Sequence, residues 1–461
     1  MDFPVAESMR ACEPLSSESV MPQKVRPDFD TQREARYPRD RTRRQFLLAS
    51  GTGAATLLGA SRLNAAESLT ITPAAFDATS DSVLIWVSGQ SGTKVRVDYN
   101  TESPTALKPG PVAGLSSGND FTSHVTLTGL PAAAIVHYRA VDADSGNALS
   151  EICSCRTAPA RAQLFSFAFS GDMEESYRPF RLFDVIAQAK PAFFLHLGDT
   201  IYADHPKREF SPSLAHYRRK HRANRRDTHL RRFLAQHTTY ATWDDHEIEN
   251  DCHAAHPNMG EAQQVFREFW PCRSVTPNAL YRAFDWAGVD FIMLDTRSFR
   301  SPQNAPDGPG KTMLGSTQKA WLEETLSASK AKFKFIATSV PFHGGGMDTW
   351  GPYRSEQQDL VRFIKDQKMG GVVFLCADYH LARDWTNSKT GLREYMAGPI
   401  ASFTHYSRTP YSRDRYQKAG TFHYGDGYNF GSVTVDPEAG TGFIEWIGLD
   451  GKVLGKIEFA A

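Results

Sequence analysis

The sequence predicts an α/β layered protein preceded by a smaller all-β part, and three observations point there. From about residue 158, short uncharged apolar runs alternate with stretches of helical spacing, the pattern of strands and helices stacked in layers. Four of those runs stop abruptly at acids: 164–172 at Asp172, 192–199 at Asp199, 239–246 at Asp245 and His246, and 371–380 at Asp378 and His380. Residues 67–157 instead alternate apolar with polar residues and carry turn formers at short intervals, which is the pattern of a β-sandwich.

Composition sets the outer limits. A chain of 461 residues can hold two or three domains and a sizeable core. Lys plus Arg and Asp plus Glu are equal at 52 each, so net charge gives no pull toward nucleic acid or a membrane surface. Six cysteines in this length do not make a disulfide scaffold. A Cys252–Cys272 bridge is open only in an oxidising compartment.

Taken in order, residues 1–40 are polar, rich in Pro, Glu and Arg, and without periodicity, which reads as disorder. Arg43-Arg44-Gln45-Phe46-Leu47 then leads into a short apolar stretch and the small residues Ala65-Ala66. This resembles a twin-arginine export signal, whose cargo crosses already folded. The apolar part is too short to span a bilayer. The implied product begins near Glu67, has no membrane anchor, meets the twin-arginine export machinery and ends in a bacterial periplasm or outside the cell.

In residues 67–157, Val83, Ile85 and Val87 share one face with Trp86 on the other, and Val95, Val97 and Tyr99 repeat the pattern. The piece from Leu127 to Val141 resembles the tyrosine corner of fibronectin type III domains, in which Tyr138 would bond back to its own upstream chain. No catalytic cluster appears here. From 158 onward, helices are expected over 177–189, 317–327 and 355–368, the last opened by Ser355 and Gln358 in capping-box spacing. Residues 289–298 and 332–342 read as strands. The tail alternates around Asp450-Gly451, a hairpin signal, and suggests a second sheet closing the domain.

In such sheets ligands sit beyond the carboxyl ends of the strands, where all four acids fall. Gathered within a few ångströms, Asp172, Asp199, Asp245 and Asp378 would raise one another's pKa values, a conflict that cations remove. Oxygen and imidazole donors suit iron, manganese, zinc or calcium. Two ions about 3.5–4 Å apart suit phosphate ester hydrolysis.

Gly171-Asp172, Gly198-Asp199, Asp244-Asp245-His246-Glu247 and Asp378-Tyr379-His380, in that order, resemble the calcineurin-like metallophosphoesterase pattern. LGDTIYADH, TWDDHEIEND, MLDTRSFRS, MLGSTQKAWLE and ADYH more narrowly resemble the alkaline phosphatase D family, over most of residues 160–400. The resemblance implies a four-layer α/β/β/α domain over 158–461 behind a fibronectin type III-like sandwich over 67–157. It implies that Asp199 bridges two metals, that Asp172, Tyr202 and His380 complete the first site, and that Asp245 and Asp378 complete the second. His246 then protonates the leaving alkoxide or contacts the phosphate. Many alkaline phosphatase D relatives carry Cys where this chain has Asp172, so the first ion is ferric iron or else manganese or zinc. The second site is oxygen-rich, suiting calcium or another divalent ion.

The reaction expected is hydrolysis of phosphate mono- or diesters, small or polymeric, by attack of metal-bound hydroxide. The rival is a non-catalytic extracellular binding protein on a decayed phosphatase fold. Asp295, Arg297 and Arg300 read either as an ion-pair network or, for Arg297, as a substrate phosphate ligand. His196 reads as a core histidine, Glu247 and Glu249 as supporting partners, and Asn250 as a loop hydrogen-bonder. His343 could border the cleft. The basic stretch 217–232 reads as a solvated helix face or a polyanion attractor, with no aromatic interleaving for specific nucleic-acid recognition.

Overall fold

The computed structural model describes residues 71–90, 92–276, 279–344, 346–409 and 422–461. The export-signal reading and the first 40 residues therefore lie outside the described residues. The seven leading strands are β1 (Ala74–Phe76), β2 (Ser82–Ser88), β3 (Lys94–Asn100), β4 (Val112–Gly114), β5 (Thr122–Thr128), β6 (Ile135–Asp142) and β7 (Cys153–Arg156). Strands and helices then alternate: β8 (Phe165–Ser170), α1 (Leu182–Gln188), β9 (Phe194–Leu197), α2 (Leu214–Arg225), α3 (Thr228–Gln236), β10 (Thr239–Thr242) and α4 (Met259–Phe269). There follow β11 (Arg282–Trp286), β12 (Val289–Met293), α5 (Gly315–Ala328), β13 (Lys334–Ala337), α6 (Arg354–Asp366), β14 (Val372–Cys376), β15 (Ala382–Thr386) and β16 (Arg393–Met396). The chain closes with α7 (His405–Arg408), β17 (His423–Tyr424), β18 (Asn429–Asp436), β19 (Thr441–Gly448) and β20 (Val453–Ala460).

Two large sheets lie face to face. One has the order β20-β19-β18-β8-β9-β10-β1-β2-β5, the other β11-β12-β13-β14-β16-β15-β17. Side-chain alternation decides what each face meets. Phe167, Leu195 and Tyr240 of the first sheet, with Phe291, Phe335 and Val373 of the second, fill one core between the sheets. Phe167 stacks on Phe193 at 5.3 Å and meets Phe291 and Phe335 edge-on at 5.0 and 5.1 Å. The opposite face of the first sheet packs Ala168, Phe194 and Ala241 against Phe183, Leu230, Phe233 and Phe266 of α1, α3 and α4. The outer face of the second sheet packs Ile292, Ile336 and Phe374 against Leu322 of α5 and Leu360 of α6. The runs around these strands looked uniformly apolar in sequence because both faces are covered.

The strands β8, β9 and β10 are parallel neighbours, as are β12, β13 and β14. Their carboxyl ends carry every acid singled out in the sequence. The tail hairpin forms as expected, but β18 pairs antiparallel with β8, so it extends the first sheet and does not start a second. α6 begins at Arg354 without a side-chain cap, and the Ser355 hydroxyl donates to Asp307 in place of the capping box.

The leading β segment also departs from expectation. Its inward faces are as read, with Val83, Ile85, Val87, Val95 and Val97 buried together. Of its two layers, however, only β4-β3-β6-β7 is a separate sheet. Strands β1, β2 and β5 continue the nine-stranded sheet, because β1 pairs parallel with β10 through Phe76 and Thr239. The Tyr138 hydroxyl donates to the Ala235 carbonyl in α3, 3.1 Å away, and not to its own upstream chain. The tyrosine-corner reading is thereby corrected: Tyr138 is structural, but it ties the β segment to a helix. All five cysteines among the described residues are free, Cys252 and Cys272 included. No helix among the described residues is long and apolar enough to cross a membrane.

Candidate metal centre

Tight turns at the strand ends bring the acids inward. Asp172, Asp199, Asp378 and His380 all have positive φ, between 51° and 68°. Such conformations are uncommon outside glycine and are least costly for Asp and Asn among other residues. Gly198 ahead of Asp199 has φ 105°, and a Cβ there would lie 2.6 Å from that of Asp244. Only glycine lets these two strand ends approach so closely.

One ligand atom each of Asp172, Asp199 and His380 lies within 4.8 Å of the other two. The Tyr202 hydroxyl is 2.8 Å from His380 Nε2, and that nitrogen is 3.8 Å from Asp172 Oδ1. His380 Nδ1 donates to the Phe403 carbonyl at 2.6 Å, which leaves Nε2 with its lone pair turned toward the acids. Asp199 also falls within 4.8 Å of Asp245 and His246, and Asp245 within the same distance of Asp244, Asp348 and Asp378. Asp199 therefore stands between two donor sets. The six residues proposed as ligands, Asp172, Asp199, Tyr202, Asp245, Asp378 and His380, are brought to one place.

The electrostatics describe a nest whose charge is only partly compensated. Asp172 Oδ2, Asp244 Oδ2, Asp245 Oδ1 and Asp378 Oδ2 are buried without a hydrogen-bond partner. Burial first, then Asp245 and Asp244, hold the Asp199 carboxyl well above the usual range. Burial and Asp244 do the same to Asp172, and burial and Asp348 to Asp378. Burial, then Asp199 and Asp172, push the Tyr202 phenol well up. Orphaned carboxylate oxygens beside an imidazole lone pair and a phenol are a donor set that fits cations.

His246 faces this nest from one side. Burial favours its neutral ring, but the charges of Asp204 and Asp245 and the Asp204 hydrogen bond outweigh it and raise the imidazole to about 10. Its Nδ1 is 2.6 Å from Asp204 Oδ1, and Asp204 Oδ2 accepts from the Asn250 N–H. Its ring stacks on Tyr202 at 4.1 Å. Glu247 supports the centre by accepting from Thr200 and from the Asp244 N–H.

Sequence reasoning missed three acids. Asp204 and Asp244 stood inside the quoted motifs, where a second acid next to a stronger candidate was passed over. Asp348 lies in a loop with no strand end to mark it. Ser339, at the end of β13, gives its hydroxyl to Asp244 at 2.6 Å. His343 is buried, and its N–H donates to Glu394. His196 is a core histidine whose ring nitrogens have no partner among the described residues, and burial lowers it to about 3.

Arg297 is fully buried. Its Nε donates to Asp244 Oδ1 at 2.6 Å, and a second nitrogen to Asp348 at 2.7 Å and near Asp245 at 3.8 Å. Arg300 meets the same Asp348 at 2.5 Å. The guanidinium is engaged by carboxylates and turned away from solvent, so the geometry favours the ion-pair network over a phosphate contact. Arg297→Met should leave Asp244 as a buried charge without its cation, while Asp348 keeps Arg300. The expected loss is about 3–5 kcal/mol of stability, read from the denaturation midpoint. A selective rise in KM with stability intact would restore the phosphate-ligand role.

The basic stretch 217–232 splits into α2 and α3, and much of its charge is internally matched. Arg218 pairs with Glu268 at 2.6 Å, Lys220 with Glu175, and Arg222 with Asp120.

With the fold and the donor sets in view, comparison with known proteins is informative. Residues 165–442 match the family model of the PhoD-like phosphatases. The alkaline phosphatase D of Bacillus subtilis (strain 168) is 27% identical over 403 residues, covering 72% of this chain and 69% of that protein. Among solved structures, one described as the structure of PhoD superimposes with a TM-score of 0.72 at 22% identity, covering 85% of this chain and 88% of that one. The purple acid phosphatase PPD1 from yellow lupin seeds gives 0.63 at 11% identity, covering 84% and 74%. The chain belongs to the PhoD-like phosphatase family and is a phosphoric ester hydrolase.

Proposed function

We propose that this protein is an exported dinuclear-metal phosphoesterase of the alkaline phosphatase D type, hydrolysing phosphate mono- or diesters. The observation that carries this reading is Asp199 lying between two donor sets whose carboxylate oxygens are buried and otherwise unpartnered. In the proposal Asp172, Asp199, Tyr202 and His380 hold one cation, and Asp199, Asp245 and Asp378 the other. Bound there, the cations supply charge neutralisation and a water acidified into the neutral range.

The chain's own residues do the rest. His246 carries its proton on the nitrogen opposite Asp204 and delivers it to the leaving oxygen. Asp204 fixes the ring's tautomer and orientation. Arg297 holds Asp244, Asp245 and Asp348 in register and does not itself meet phosphate. Tyr202 held as a tyrosinate favours ferric iron at the first site, with manganese or zinc as the alternatives. The all-oxygen second set favours calcium or another divalent ion.

Export rests on the twin-arginine resemblance of residues 43–47 and on the likeness to an alkaline phosphatase D, and it implies a periplasmic or secreted product without a membrane anchor. We further read 1–66 as leader, 67–157 as a β segment that shares its sheet with the rest, and 158–461 as the metallophosphoesterase part. Elemental analysis paired with hydrolysis of an aryl phosphate monoester and diester tests the reading. The expected outcome is close to two ions per active chain, with metal and activity lost together on chelation. Full activity in demonstrably metal-free protein would refute it.

A further inference from the structure

A cavity of about 320 Å³ lies apart from the carboxylate nest, between the leading β strands and the helices α2 and α3. Arg222, Arg225, Arg226 and Arg231 line it, against a single acid, Asp120. Asp120 is already engaged by Arg222. Arg226 and Arg231 are exposed and have no ion pair among the described residues. Three guanidinium groups thus border one small space without a counter-charge.

Arg225 is the decisive member. It is 8% exposed and sits among Phe76, Trp86 and Trp270, with its central carbon 5.4, 4.7 and 4.3 Å from their ring centres. One terminal nitrogen donates to the Phe269 carbonyl. Its Nε is buried with no partner. Desolvation lowers this guanidinium to about 9. Aromatic faces hold such a cation in place but only partly offset its lost hydration. Trp86, Phe121, Leu234 and Phe269 supply an apolar wall to the same space.

We propose that this cavity is a second, non-catalytic site for an organic phosphate. Its dianionic head lies among Arg225, Arg226 and Arg231, and its flat apolar body lies against Trp86 and Phe121. Planar guanidinium forks match phosphate oxygens, and an apolar wall discriminates an organic ester from the free inorganic ion. The site is also mechanically close to the metal centre. Asn224, next to Arg225 on α2, donates from Nδ2 to the carbonyls of Met173 and Thr200, at 3.0 and 2.9 Å. Those carbonyls directly follow Asp172 and Asp199, so occupancy bears on the backbone that sets both acids.

Equilibrium dialysis of the full chain with phenylphosphonate tests this, because its P–C bond survives an ester hydrolase. The exposed double variant Arg226→Glu/Arg231→Glu should bind one fewer molecule per chain than the parent while keeping its hydrolytic activity. Asp199→Ala should retain the molecule that the double variant loses. Inorganic phosphate should bind this site at least tenfold more weakly than phenylphosphonate. An unchanged count in the double variant, or no binding that survives Asp199→Ala, overturns the site. Equal affinity for inorganic phosphate overturns its assignment to an organic ester.

Discussion

Asp199→Ala should lose bound metal from both positions at once and drop hydrolysis by three decades or more, a barrier change of roughly 4 kcal/mol. The expectation follows from where this carboxylate stands. It is within 4.8 Å of Asp172 and His380 on one side and of Asp245 and His246 on the other. Removing any other acid impoverishes one donor set, whereas removing Asp199 impoverishes both. The measurement is ion stoichiometry by elemental analysis beside turnover of an aryl phosphate. Folding should survive, because the unsubstituted nest holds uncompensated acids and losing one relieves repulsion. Full activity in the variant would remove the basis for the whole centre.

His246→Ala should behave differently: metal retained, rate reduced by about 10²–10⁴-fold, the range typical of a lost general acid or base. Asp204→Asn should reproduce part of that, about 10–100-fold, since Asp204 bears on the reaction through the ring it orients at 2.6 Å. The comparison also decides the role of His246. One of its ring nitrogens lies within 4.8 Å of Asp199 and Asp245, which is close enough for a ligand. Loss of an ion in His246→Ala would make it a ligand and not a proton donor. A leaving group that needs no proton should narrow the defect if the proton-donor role is right.

Much of this was legible in the sequence because it is written at strand ends. A buried strand of four to six residues has no packing reason to finish on a carboxylate, so Asp172, Asp199, Asp245 and Asp378 announced themselves. Tyr202 and His380 entered as ligands through the family resemblance. The layering was legible too, since alternation along β2 and doubly apolar runs at β9 and β14 report one or two covered faces. What stayed hidden depends on contacts remote in the chain. Asp348 reaches the nest only because Arg297 and Arg300 fold over it from a loop 50 residues earlier. The partner of Tyr138 lies 97 positions away in a helix. Arg297 stayed open between an ion-pair network and a phosphate ligand because sequence shows its charge but not that three acids surround it.

The joining of β1 to β10 has a bearing on how such a protein can be rearranged. A boundary drawn at residue 157 would divide a hydrogen-bonded ribbon, exposing as a raw margin β10, the strand that carries Asp245 to its place. Tyr240 would lose the carbonyl of Ala78 that receives its hydroxyl, and Trp86 its acceptor at Glu268. The leading segment is therefore not baggage that shuffling can exchange freely; it is the outer plank of the platform on which the chemistry rests.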